Sequence, residues 1–143
     1  MEGAGEVSEG DGWAVAADAE ALGAGYGFRK VRKVLGVTEF GVNLLMIPPG
    51  YETGRHLHER QQELYFVHRG AIEIEFGDGT KHEIHEGGAA RVDASTVRKL
   101  RNLSDADDAQ YLVVGGEGGY VGQDGKLPEG EESRFGPGGP PGA

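Results

Sequence analysis

From Phe28 to Val114 the chain is a succession of short apolar runs cut by turn residues, and this rhythm limits the possible folds more than any other feature. Residues 28–35 are rich in β-branched and aromatic side chains. Residues 40–47 read as a more buried strand, stopped by Pro48-Pro49-Gly50. Residues 64–67 follow and are closed by Gly70. Residues 71–76 alternate cleanly, with Ile72, Ile74 and Phe76 on one face. Gly77-Asp78-Gly79 is a turn signal, so strands 71–76 and 80–85 are expected to form a hairpin. Residues 89–92, 99–103 and 110–114 complete the series, and no long helix interrupts it. Such a series is expected to close into an all-β, antiparallel double-sheet barrel or sandwich. About eight strands would leave room inside for one small ligand.

The two ends differ in texture. Residues 1–12 are rich in Gly and Glu and are expected to be mobile. Residues 13–22 suit a short helix or a packed arm, and three glycines in 23–27 break any regular element. From Gly115 onwards, 11 of 29 residues are glycine and four are proline. That composition cannot bury enough apolar area to offset the entropy of ordering. The expected organisation is an N-terminal arm over 1–25, a barrel domain over 26–116 and a disordered tail over 117–143. Tyr120, Val121 and Leu127 could still pack locally against the barrel.

At 143 residues the chain suits one domain. It has no cysteine, so disulfides, thiolate metal sites and cysteine nucleophiles are excluded. A net charge of -10 argues against nucleic acid and anionic membranes as partners. The start lacks a basic segment and an uninterrupted apolar run, and no stretch reaches membrane-spanning length. A soluble, cytoplasmic protein is the expectation.

The chemistry concentrates between Gly50 and Gly70. His56 and His58 are two apart, so on an extended segment their side chains point the same way. Glu63 lies beyond Glu59-Arg60-Gln61-Gln62, where a turn or bulge could return it to the same spot. Two imidazoles and one carboxylate can hold a divalent metal while leaving coordination positions open. Affinity alone does not select among Fe, Mn, Zn, Ni and Cu.

The spacing Gly50, His56, His58, Glu63, Gly70 resembles the first motif of the cupin superfamily at every defining position. The resemblance covers roughly residues 26–116. It implies a jelly-roll-like barrel with the metal facing inwards. It also implies dioxygenase, isomerase or lyase chemistry on small, in part anionic, organic molecules, and a homodimer. Gly87 and Asn102 match the second cupin motif. Within it, Asp93, Ser95 and Arg98 replace the family's usual proline, glycine and histidine. That histidine is normally the fourth metal ligand, and arginine cannot replace it because its guanidinium offers only donors. Three outcomes stay open for Arg98. It points outwards in the basic run Arg98-Lys99-Leu100-Arg101; it pairs with Glu63 and repels a metal; or it clamps an anionic substrate bidentately. Tyr65 shares strand parity with Glu63 and is a candidate to line the interior beside substrate.

The remaining candidates have plainer readings. His68 reads as a solvated turn residue, and His82 and His85 fall on opposite faces of one strand. Met46 and Phe40 read as core or pocket wall. Asp105, Asp107 and Asp108 lack the spacing of a calcium loop. A non-catalytic module that captures a small ligand or metal is the alternative to an enzyme.

Overall fold

The computed structural model describes residues 6–58, 61–117 and 125–126, without the side chains of 58, 117, 125 and 126. In chain order it contains β1 Val7–Gly10, β2 Trp13–Ala16, a 3-10 helix Ala19–Leu22, β3 Gly27–Arg29 and α1 Val31–Leu35. Then come β4 Phe40–Ile47, β5 Leu57–His58, β6 Glu63–Arg69, β7 Ala71–Phe76 and β8 Lys81–His85. β9 Ala89–Val92, β10 Arg98–Asn102, β11 Ala109–Glu117 and β12 Gly125–Lys126 complete the order.

The strands form an all-β double-sheet barrel. A five-stranded sheet runs β3-β4-β11-β6-β9 and a three-stranded sheet runs β10-β7-β8, with every pairing antiparallel. Alternation dictates which side chains meet between the sheets. On β6, Glu63, Tyr65 and Val67 are buried while Leu64, Phe66 and His68 are exposed. Ile72 and Ile74 of β7 and Leu100 of β10 face them in one core cluster. β4 is apolar along nearly its whole length because both its faces are covered. Leu45 and Ile47 enter the inter-sheet core, whereas Val42 and Leu44 pack with Val31 of α1 in a second cluster outside the sheet.

Several local expectations are corrected. Residues 28–35 were expected to be one strand, but the strand ends at Arg29 and α1 follows. Val31, Val34 and Leu35 have helical spacing, and Gly36 caps the helix in the left-handed region at φ 72°. Residues 13–22, read as a short helix or a packed arm, divide into β2 and the short 3-10 helix Ala19–Leu22, and β1 precedes them. β1 and β2 pair with Gly10 opposite Trp13, so Asp11-Gly12 is a two-residue hairpin loop. Phe40 is not core: it is 44% exposed at the start of β4. Gly125–Lys126, inside the Gly/Pro-rich tail, pair with His58 and Leu57. Tyr120, Val121 and Leu127 lie outside the described residues. Among the described residues no helix is long and apolar enough to cross a membrane.

A candidate metal and anion site between the sheets

Residues 51–56 run beside β10, which brings the first motif against the second. Glu52 bridges to Arg101 and His56 to Arg98. The first strand takes four steps where β10 takes three, so it carries a one-residue bulge. Thr53 sits in the bulge: its amide donates to Leu100 O (2.8 Å), and its hydroxyl accepts from Leu100 N (3.0 Å). Beyond the bulge, His56 and Arg98 exchange both backbone hydrogen bonds at 2.9 Å. Directly opposed residues in such a pair project to the same side. The bulge therefore sets His56 on the face that Arg98 uses.

That face is the interior. On β10, Arg98, Leu100 and Asn102 are buried. Lys99 and Arg101 point the other way, to Glu52 at 3.6 Å and Glu73 at 3.3 Å. Of the three outcomes left open for Arg98, the outward one is thus excluded: the side chain is 0% exposed. Its Nη2 lies 3.9 Å from Oε1 of Glu63, which projects inwards from the opposite sheet. Tyr65, two residues along β6, donates its hydroxyl to the same Oε1 at 2.5 Å. The close approach of β11 to the start of β6 depends on Gly115, since a Cβ there would run into the Gln62 carbonyl.

Arg98 is held from a second side. Nη2 donates to Asp93 O at 3.1 Å and Nη1 to Ala94 O at 3.4 Å, in the loop after β9. The Asp93 carboxylate in turn accepts from Gln62 Nε2 at 2.6 Å. The guanidinium therefore joins both sheets and the loop. The same loop lines an open cleft of about 440 Å³ together with Phe76, Asp78 and Arg91.

The predicted ligand set is described in part. Glu63 is buried, His56 is half-buried opposite Arg98, and the backbone of His58 is extended in β5. The His58 ring lies outside the described side chains, and among the described residues no three potential ligands converge on one point. Nδ1 of His56 lies 3.2 Å from Gly54 O. A carbonyl only accepts, so a hydrogen bond there puts a proton on Nδ1 and leaves Nε2 as the nitrogen that would face a metal, as in metal-binding histidines. The residues present fit a divalent ion in this respect, while Arg98 adds a fixed positive charge beside the carboxylate. His68, His82 and His85 are exposed and far from this role. Sequence reading missed Thr53 and the Gln62–Asp93 hydrogen bond, whose partners lie 47 and 31 residues apart and leave no local signal.

The interior tyrosines carry the electrostatic signature of the site. Burial raises the Tyr65 hydroxyl well above 10.0; the Glu63 charge adds to this and Arg98 opposes it. Burial and then Glu63 raise Tyr111 likewise. A raised folded-state value means the neutral hydroxyl stabilises the fold fully below the ordinary value near 10. The contribution disappears as pH rises through the raised value. In an ultraviolet phenolate titration, Tyr65 and Tyr111 are expected to ionise only together with unfolding. Reversible ionisation of all five tyrosines near pH 10 in a folded chain would contradict this.

Residues 43–115, just over half of the chain, match the family described as Cupin domain. Among solved structures, a sugar phosphate isomerase of the cupin superfamily from Silicibacter pomeroyi is 29% identical, with a TM-score of 0.56. The match covers 73% of this chain and 59% of that one, so the chain spans about three-fifths of the isomerase's length. A Thermus thermophilus protein is 25% identical with a TM-score of 0.58, over 70% of this chain and 94% of its own. A cupin protein of Bacteroides fragilis shares the fold at 21% identity and a TM-score of 0.57, over 68% of this chain and 82% of its own. No curated protein matches the chain significantly.

Proposed function

This chain belongs to the cupin family, and from that premise we propose that its barrel holds a divalent metal through His56, His58 and Glu63 and binds a small anionic organic molecule there. The observation that supports this reading is the paired backbone of His56 and Arg98, which puts the two residues on one face of their ribbon, where Arg98 lies 3.9 Å from Glu63. The ion would supply Lewis acidity with coordination positions open to a ligand. Tyr65 orients the Glu63 carboxylate through its 2.5 Å hydrogen bond. Arg98 makes the interior attractive to an anion. The sugar phosphate isomerase, 29% identical, acts by its name on an anionic substrate, and this supports the ligand class.

Loading with Fe, Mn, Zn, Ni or Cu, followed by elemental analysis, is expected to give about one ion per chain at saturation. His56→Ala and His58→Ala are each expected to weaken binding at least tenfold, at or above the effect typical of second-layer changes around a metal. A chain that retains none of these metals at saturation would overturn the proposal. A non-catalytic binding module is the second reading, favoured by Arg98 standing where the resemblance expects a fourth ligand. Turnover of a chelating substrate that is abolished by Glu63→Gln would eliminate it.

A further inference from the structure

The segment that carries both histidines is paired on each of its sides. On one side, His56 exchanges two backbone hydrogen bonds with Arg98 at 2.9 Å. Successive residues of an extended chain turn their backbone groups to opposite sides. His56 directs its amide and carbonyl to β10, so Leu57 turns its own away from β10. There β12 runs antiparallel to β5, with Lys126 opposite Leu57 and Gly125 opposite His58. The main chain of Lys126 thus closes the second ladder midway between the two histidines. Gly125 adds no side chain opposite His58.

β5 is two residues long, so it has few ladder bonds with which to hold its own course. Without β12 it would be an open edge at the place where the second imidazole is attached. A metal ligand works only if its backbone is held, and the groups that hold it matter nearly as much as the ligand. We propose that β12, from the C-terminal part of the chain, belongs to the frame of the metal site, with Lys126 as a positioning residue that acts on His58 through its main chain. The inference rests on the metal reading above. It makes the attachment of β12 and the binding of the metal mutually strengthening. Such coupling is reciprocal: the factor by which attached β12 tightens the metal is the factor by which the metal tightens β12 onto β5.

The test uses the full chain and Mn(II). Lys126→Pro removes the main-chain donor opposite Leu57, whereas Lys126→Ala keeps it. By equilibrium dialysis, Lys126→Pro is expected to bind Mn(II) about tenfold more weakly than the unmodified chain, the effect typical of groups that support a ligand, and Lys126→Ala to match the unmodified chain. A second measurement needs no variant. Trypsin cuts after Lys126, which Leu127 follows, and the cut tracks the fraction of chains in which β12 is detached. Saturating Mn(II) is expected to slow this cut, followed by mass spectrometry, by about the same tenfold factor. Equal Mn(II) affinity in all three chains, an equal loss in Lys126→Ala and Lys126→Pro, or a tryptic cut that Mn(II) leaves unchanged would each overturn the coupling and leave the metal site standing. Absence of Mn(II) from the unmodified chain at saturation would overturn the metal reading and this inference with it.

Discussion

Arg98→Met is expected to cost about 3–5 kcal/mol of folding stability, the usual result of removing one partner from a buried ion pair. The prediction follows from burial on both sides: Arg98 is 0% and Glu63 5% exposed. Methionine restores much of the lost packing, so what remains is the Glu63 charge without its counter-charge, plus the freed carbonyls of Asp93 and Ala94. The double variant Arg98→Met with Glu63→Gln should recover part of the loss, since glutamine is neutral and still accepts from Tyr65. Urea unfolding of the single and double variants measures both effects. A single-variant loss below about 1 kcal/mol, the level of an exposed pair, would show that the two charges do not depend on each other.

The far end of β10 is expected to be as sensitive. Asn102 is 1% exposed. Its side-chain nitrogen donates to the carbonyls of Ile47, Pro48 and Asp107 at 3.3, 3.1 and 2.9 Å, and its oxygen accepts from Ser104 N at 2.9 Å. One side chain thus ties the end of β4 to the loop leading into β11. Asn102→Leu has a similar volume but strips a cluster of buried backbone groups, each costing about 1–3 kcal/mol when unsatisfied. A total loss of about 3 kcal/mol or more is expected from those groups together, seen as a lower urea midpoint with an unchanged slope. A loss of a few tenths would mean that water or loop movement replaces those bonds.

Much of the barrel was legible because its strands announce themselves. β4, β7 and β9 fall on the expected residues, since Pro48-Pro49-Gly50, Gly77-Asp78-Gly79 and Gly87-Gly88 punctuate them. The side that Arg98 faces was left open, although its strand parity with Leu100, a core residue, points inwards. The run of nearby basic residues hid that cue, although Lys99 and Arg101 have the opposite parity. Residues 31–35 were misjudged because β-branched composition was weighed above the spacing of Val31, Val34 and Leu35. The N-terminal hairpin was missed although Asp11-Gly12 is a strong two-residue turn signal, because glycine and glutamate dominate that stretch. The bulge that delivers His56 to Arg98 could not be read at all. It depends on the register between segments more than 40 residues apart.

Anomalous diffraction at the metal edge, from a crystal of the full chain grown with Mn(II), decides whether one ion occupies the barrel. One metal peak is predicted about 2.0–2.2 Å from His56 Nε2 and a Glu63 oxygen. An empty interior, with Glu63 closed onto the Arg98 guanidinium in a direct two-bond pair, would contradict it.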